Sequence, residues 1–262
     1  MGFTELYNHY MIEKADVRTN DWFLIHSPIP LGLILISYLY FVLGCGPRYM
    51  KNRQPLSLKT YIKYYNIFQI VVNALLVYYV ATSGWTTHIN FGCVPFDYGT
   101  DPISIRLTHV IYWTFIVKII DLSETAVFIF RKKNNQISGL HLYHHVTTCL
   151  FAWLSCKYWT SYMGSLTLLI NCGVHVIMYT YYLLSSTGKP SIQGVLKVIK
   201  PYITIVQMVQ FWVLLIHAFQ GILPSCDIPK WSPILHILNL LINFFLFLNF
   251  YRSSYHKHKK SV

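Results

Sequence analysis

The sequence predicts an all-α membrane protein with seven transmembrane helices. Three observations carry that prediction. Apolar residues make up 54% of the 262-residue chain and charged residues 11%, against roughly 25% charged in an ordinary soluble domain. The apolar residues fall into runs long enough to cross a hydrocarbon layer of about 30 Å. Lysine and arginine collect between alternate runs, as the positive-inside rule requires. With about 20 residues per span, the length leaves no room for a separate soluble domain. The net charge of +12 is mostly a basic collar on one side of the bilayer and gives no reason to expect a nucleic-acid partner.

Residues 1–27 form an N-terminal segment with no basic leader ahead of an apolar run, so the first span is expected to act as the insertion signal. Spans are predicted near 28–47, 62–85, 106–130, 139–156, 162–184, 201–222 and 232–252, followed by a basic tail over 253–262. The segments 48–61, 131–138, 185–200 and 252–262 hold 4, 3, 3 and 4 basic residues, against four on the opposite side. That asymmetry puts the N-terminus in the lumen and the C-terminus in the cytosol. Cys93 and Cys226 fall in two loops on the lumenal side, where an oxidising compartment permits a bridge. Cys45, Cys149, Cys156 and Cys172 read as small buried hydrophobes.

The apolar spans carry polar residues in a pattern. In the fourth, His141-Leu-Tyr-His144-His145 puts three imidazoles at i, i+3 and i+4, on one side of a helix. Histidine in a span is costly and marks function by default. Span three carries Lys118, Asp121, Glu124 and Thr125 on one stripe, span five Asn171, His175 and Tyr179, and span six Thr204, Gln207 and Gln210. At 1.5 Å per residue all of them fall within about 20 Å of the basic side, which predicts a polar chamber open to the cytosol. Plainer roles stand beside these. Lys118 and Asp121 also fit a structural ion pair, the two glutamines fit interhelical hydrogen bonding, and Asn171 fits the orienting of His175. The row Tyr179, Tyr181, Tyr182 fits an interface belt and packing better than catalysis. Arg131, Lys132, Lys133, Lys189, Lys197 and Lys200 are candidates for binding phosphates, or serve topology alone.

These motifs resemble the ELO family of very-long-chain fatty acid elongases over nearly the whole chain. The resemblance rests on His141-Leu-Tyr-His144-His145 for an HxxHH box, Asn171 through His175 to Met178-Tyr179-Thr-Tyr181-Tyr182, and Thr204-Ile-Val-Gln207-Met-Val-Gln210. Asp16-Val-Arg18-Thr19-Asn-Asp21-Trp22 and Gly46-Pro47-Arg48-Tyr-Met50 also look like family segments. The family's KxxExxDT box stands here as Lys118-Ile-Ile-Asp121-Leu-Ser-Glu124-Thr125, with its two acids exchanged.

The resemblance implies that spans two to seven surround an acyl tunnel and that the activity is condensation of a long-chain acyl-CoA with malonyl-CoA, giving a 3-oxoacyl-CoA two carbons longer. It implies His144 as nucleophile, His175 with His141 or His145 as hydrogen-bond donors, and the basic collar as the CoA site. No metal or redox cofactor is implied. The expected location is the endoplasmic reticulum membrane, with Lys259 and Lys260 resembling a dilysine retrieval signal or a plain lipid-attracted tail. Separate reductase and dehydratase enzymes would take the product. Oligomeric state, a homodimer included, stays open. Two rival functions share features: a membrane di-iron desaturase or hydroxylase uses HxxHH boxes, and a receptor or transporter shares the span count.

Overall fold

The computed structural model describes residues 2–84, 92–160 and 162–256, and among them the regular structure is helical apart from an isolated bridge residue at Phe96. Ten α-helices follow in order: α1 Phe3–Asn8, α2 Pro28–Tyr40, α3 Gly46–Met50, α4 Lys59–Thr82, α5 Pro102–Asp121, α6 Ser123–Phe130, α7 Gly139–Tyr158, α8 Tyr162–Ser186, α9 Pro190–Phe219 and α10 Trp231–Tyr251. Among the described residues, five segments are long and apolar enough to cross a membrane: Pro28–Met50, Lys59–Thr82, Met163–Ser186, Pro190–Ile222 and Trp231–Tyr255. Only 17% to 44% of the residues in their apolar windows are buried, so most of that surface faces outward, as lipid permits and water does not. The chain is a multi-pass membrane protein.

The expected seven spans are therefore not all met on length and composition. Helices do form over 106–130 and 139–156, but as α5, α6 and α7, which are not among the five. The physical reason is the polar residues they carry: Lys118, Asp121 and Glu124 in one stretch, and three histidines and Lys157 in the other. The third expected span is also interrupted, α5 ending at Asp121 and α6 starting at Ser123. The sixth starts eleven residues earlier than expected. Its first turn carries Pro190, whose fixed φ suits that position, and the helix runs through Pro201. Lys197 and Lys200, expected in a loop, thus lie on α9. Lys259 and Lys260 lie outside the described residues.

The chain divides into two compact units, Met1–Leu58 with Phe96–Ser161, and Lys59–Pro95 with Tyr162–Val262. In the first, α5 packs on α7 and α3 on α6. The α2 helix opens on Ser27, whose hydroxyl accepts from the Ile29 amide at 3.3 Å. With the turn that follows, it buries a seam of Leu31, Leu35, Tyr38 and Val42 at steps of four, three and four residues. A wide turn over Phe41–Cys45 precedes Pro47, which has no N–H to give a regular helix. Gly46 is obligatory there, because a Cβ would stand 2.8 Å from the Phe41 carbonyl oxygen.

Residues 16–26, expected as part of a lumenal segment of no stated structure, cap the end of α7. A helix leaves its last carbonyls without partners, and here the Asp16 amide donates to the Lys157 carbonyl at 2.8 Å and the Thr19 hydroxyl to that of Cys156 at 2.6 Å. Lys157, fully buried, donates to Asn20 Oδ1 at 2.6 Å. Arg18 pairs with Asp16 at 2.6 Å and donates to the carbonyls of Gly99 at 2.7 Å and Asp97 at 2.5 Å. Nearby, Asp101 caps α5, and hydrogen bonds from the Ser104 hydroxyl and amide hold its carboxyl below the ordinary range.

In the second unit α8 packs against α4 and α9, and α10 against α9. Leu166, Phe211, Leu214, Leu215, Ile237 and Leu240 form its apolar core. Cys93 and Cys226 are disulfide-bonded, with Cα atoms 5.6 Å apart. The α4 helix buries a polar seam, Asn66, Gln69 and Asn73. Its amides partly satisfy one another: Asn73 donates to Gln69 Oε1 at 3.0 Å, and Gln69 Nε2 donates to the Tyr65 hydroxyl at 3.0 Å.

Candidate active site

The first unit assembles most of the ionisable stripe. Ser138 caps α7 by accepting from the His141 amide at 3.2 Å, so the three histidines sit in the first two turns. The rings of His141 and His145 have centroids 4.2 Å apart, and those of His144 and His145 6.1 Å. From α6, Thr125 Oγ1 lies 2.7 Å from His141 Nε2, and Glu124 Oε2 lies 3.6 Å from His145 Nε2. Phe128 stands against the His141 ring at 5.3 Å. Two neighbouring residues of α6 thus orient two neighbouring imidazoles of α7.

The other half of the stripe behaves differently. Lys118 and Asp121 form an ion pair at 3.3 Å in which both side chains are about 95% buried, the structural alternative the sequence allowed. The Cys149 thiol, fully buried, donates to the Lys118 carbonyl at 3.3 Å. The exchange of acids relative to the family pattern has a legible consequence. The shorter acid stands beside the lysine, and the longer one, with a further methylene of reach, meets His145.

Tyr38 was not anticipated. Its hydroxyl lies 2.9 Å from Thr125 Oγ1, so α2 contributes to the cluster. Two tyrosines stand in this run, Tyr38 at 8% exposure and Tyr40 at 67%. The signal that separates them is register, since only Tyr38 continues the seam from Leu31 and Leu35.

Glu124, His141 and His145 could each offer one atom to a metal ion, all within 4.8 Å of one another. Among the described residues that is one three-ligand set, with one nitrogen already hydrogen-bonded to Thr125, whereas a di-iron centre needs two filled shells.

In the second unit His175 is 7% exposed and stands edge-on to Tyr179, centroids 5.7 Å apart. Tyr179 is 1% exposed, so it is an interior residue, not part of a belt, and it packs against Tyr65 of α4 and Tyr182 at 6.0 Å each. Asn171 lies one turn before His175. Gln207 donates to Met178 Sδ at 3.4 Å, which ties α9 to α8 as the interhelical reading expects, and Thr204 Oγ1 is 3.5 Å from the Tyr255 hydroxyl. Gln210 is buried with its Oε1 unpaired. Tyr65 and the α4 amides were missed by the sequence reading. Their signal is polar residues repeating at heptad spacing in an apolar run.

Of the collar, Lys132, Lys133, Lys189, Lys197 and Lys200 are exposed and Arg131 half-buried. Lys132 lines a cavity of about 420 Å³ in the first unit together with Arg48, Lys51, Asn134, Met50 and Ile129. Its backbone is left-handed, φ 52°, and its ammonium donates to the Lys51 carbonyl at 3.2 Å. Arg48 and Lys51 were not among the residues expected to meet phosphates.

A family model described as ELO, the GNS1/SUR4 family, matches residues 23–262. The chain is 38% identical over 264 residues to a very long chain fatty acid elongase of Aedes aegypti, covering 99% of this chain and 72% of the relative. It is 35% identical over 255 residues to very long chain fatty acid elongase 1 of Mus musculus, covering 96% and 90%, and 36% identical over 257 residues to that of Homo sapiens, covering 97% and 91%.

Proposed function

The chain belongs to the ELO family, and from that premise we propose that it condenses a long-chain acyl-CoA with malonyl-CoA to give a 3-oxoacyl-CoA extended by two carbons. The observation that carries this reading is the imidazole cluster of α7, oriented by Glu124 and Thr125. In the proposed reaction a neutral His144 attacks the thioester carbon and CoA leaves as its thiol, producing an acyl-imidazole. Malonyl-CoA then loses carbon dioxide, and the resulting enolate carbon attacks the acyl group and releases His144. The carbon-carbon bond forms as the acyl-nitrogen bond breaks, and departure of carbon dioxide drives the step. His145, facing Glu124, is assigned the donation of hydrogen bonds to developing oxyanions. Seven crossings, an acyl tunnel within spans two to seven, a lumenal N-terminus and residence in the endoplasmic reticulum membrane belong to the same proposal. So do reductase and dehydratase enzymes as takers of the product.

Purified protein given a long-chain acyl-CoA and radiolabelled malonyl-CoA, with no reductant, is expected to accumulate labelled 3-oxoacyl-CoA and release carbon dioxide. The rate should be unchanged by a strong chelator. No labelled product would overturn the reading, whereas iron bound in stoichiometric amount with loss of turnover on its removal would favour the desaturase alternative through Glu124, His141 and His145.

The CoA phosphates are assigned to the cavity of Arg48, Lys51 and Lys132, where guanidinium and ammonium groups converge. Arg48→Ala and Lys51→Ala should each raise KM for the CoA substrates about tenfold with kcat held within about twofold. A KM unchanged in both would remove this site and leave the collar to topology.

A further inference from the structure

We propose that Tyr38 is a positioning residue of the condensation site: its hydroxyl donates to Thr125 Oγ1, Thr125 donates to His141 Nε2, and this chain holds His141 in the tautomer with its proton on Nδ1. The inference rests on the condensing role assigned above to the histidine cluster, and it draws α2, expected outside the acyl bundle, into the machinery.

The polarity follows from donor strength and proton count. A phenol, with an unperturbed pKa of about 10, is a better donor than an aliphatic hydroxyl, so at the 2.9 Å contact Tyr38 gives and Thr125 receives. A threonine hydroxyl has one proton. Having accepted from Tyr38, it turns that proton to its other neighbour at 2.7 Å, the Nε2 of His141. A nitrogen that accepts carries no proton, so neutral His141 holds it on Nδ1. Tyr38 is 8% exposed and Thr125 fully buried, which removes water as a competing partner and strengthens both bonds.

Packing alone does not account for a tyrosine here. The seam it continues is otherwise Leu31, Leu35 and Val42, and a hydroxyl carried into such surroundings is costly unless it finds a partner. What it finds leads directly to the ring whose centroid lies 4.2 Å from that of His145, the imidazole that faces Glu124. A His141 free to exchange tautomers would present that neighbour alternately with a donor and an acceptor. The two hydroxyls remove the ambiguity.

Tyr38→Phe, Thr125→Val, Thr125→Ser and the Tyr38→Phe/Thr125→Val double variant, each in the full chain, test this by condensation kinetics and by nitrogen NMR of histidine-labelled protein. Tyr38→Phe and Thr125→Val should each lower kcat about tenfold with both KM values within about twofold, the size of one lost hydrogen bond. Thr125→Ser should keep near-normal kcat, and the double variant should be no slower than Thr125→Val. The His141 Nε2 resonance should be that of an unprotonated nitrogen in the wild type and shift toward tautomer averaging in Tyr38→Phe. A Tyr38→Phe enzyme with normal kcat, multiplying effects in the double variant, or a protonated Nε2 in the wild type would overturn the proposal. If wild-type protein makes no 3-oxoacyl-CoA at all, the condensing reading fails by itself. The resonance of His141 then decides the hydrogen-bond chain alone.

Discussion

His144→Ala is expected to abolish condensation, lowering turnover at least about a thousandfold, as loss of a covalent nucleophile does in enzymes that use one. His144 is the proposed nucleophile, and the contacts of its two neighbours suit other roles. His141 Nε2 is bonded to Thr125 and His145 Nε2 faces the Glu124 carboxylate. Those arrangements suit orientation and proton donation, whereas attack on a thioester needs a neutral nitrogen with its lone pair directed at the substrate. Removing His145 or His141 should therefore slow the reaction without ending it. The rival nucleophile is Cys149, one turn beyond. Its thiol is buried and donates to the Lys118 carbonyl, which gives it a structural partner. Incubation with acyl-CoA alone, followed by mass spectrometry, should find the acyl group on a peptide containing His144. An adduct on Cys149 or Cys172, or normal turnover by His144→Ala with the protein folded in its membrane, would sink the assignment.

Much of this site was legible in the sequence because its determinants are local. The i, i+3, i+4 spacing of the histidines and the three-residue steps of Lys118, Asp121 and Glu124 follow from helical geometry alone. What spacing could not decide was how the stripe divides. Lys118 and Asp121 pair with each other within α5, while Glu124 and Thr125 meet the histidines of α7. Tyr38 escaped notice for a related reason: in Ser37-Tyr38-Leu39-Tyr40 both tyrosines look alike until the register of the seam is fixed. The early start of α9 was hidden because a proline inside an apolar run reads as a helix start. Here Pro190 fills that role and Pro201 lies within. The cap over residues 16–26 was beyond reach, since it pairs residues more than 130 positions apart with the end of α7. Only the type of its residues hinted at it.

That cap carries the largest expected effect on stability. Arg18→Ala should destabilise the first unit by about 3 to 5 kcal/mol, the cost of leaving a buried carboxylate without its partner. The Asp16 side chain is fully buried and that of Arg18 only 4% exposed, so water cannot take over the missing contacts. The guanidinium also serves the carbonyls of Gly99 and Asp97, which lose their donor in the same substitution. In a thermal-shift measurement the midpoint should fall by about 10 °C. The distinguishing control is Asp16→Asn combined with Arg18→Ala. Neutralising Asp16 removes one stranded charge and leaves Asp97, whose carboxylate lies 3.9 Å from the guanidinium, so the double variant should recover part of the loss, which is the reverse of additivity. Such recovery would identify the penalty as electrostatic and not as lost packing of the arginine stem. Since Asp16 and Thr19 hold the last carbonyls of α7 while the histidines occupy its first two turns, about 18 Å away along the axis, kcat per folded molecule should stay near normal. A midpoint unchanged in Arg18→Ala, or a double variant less stable than the single, would show that the ion pair is not what holds the cap to the helix end.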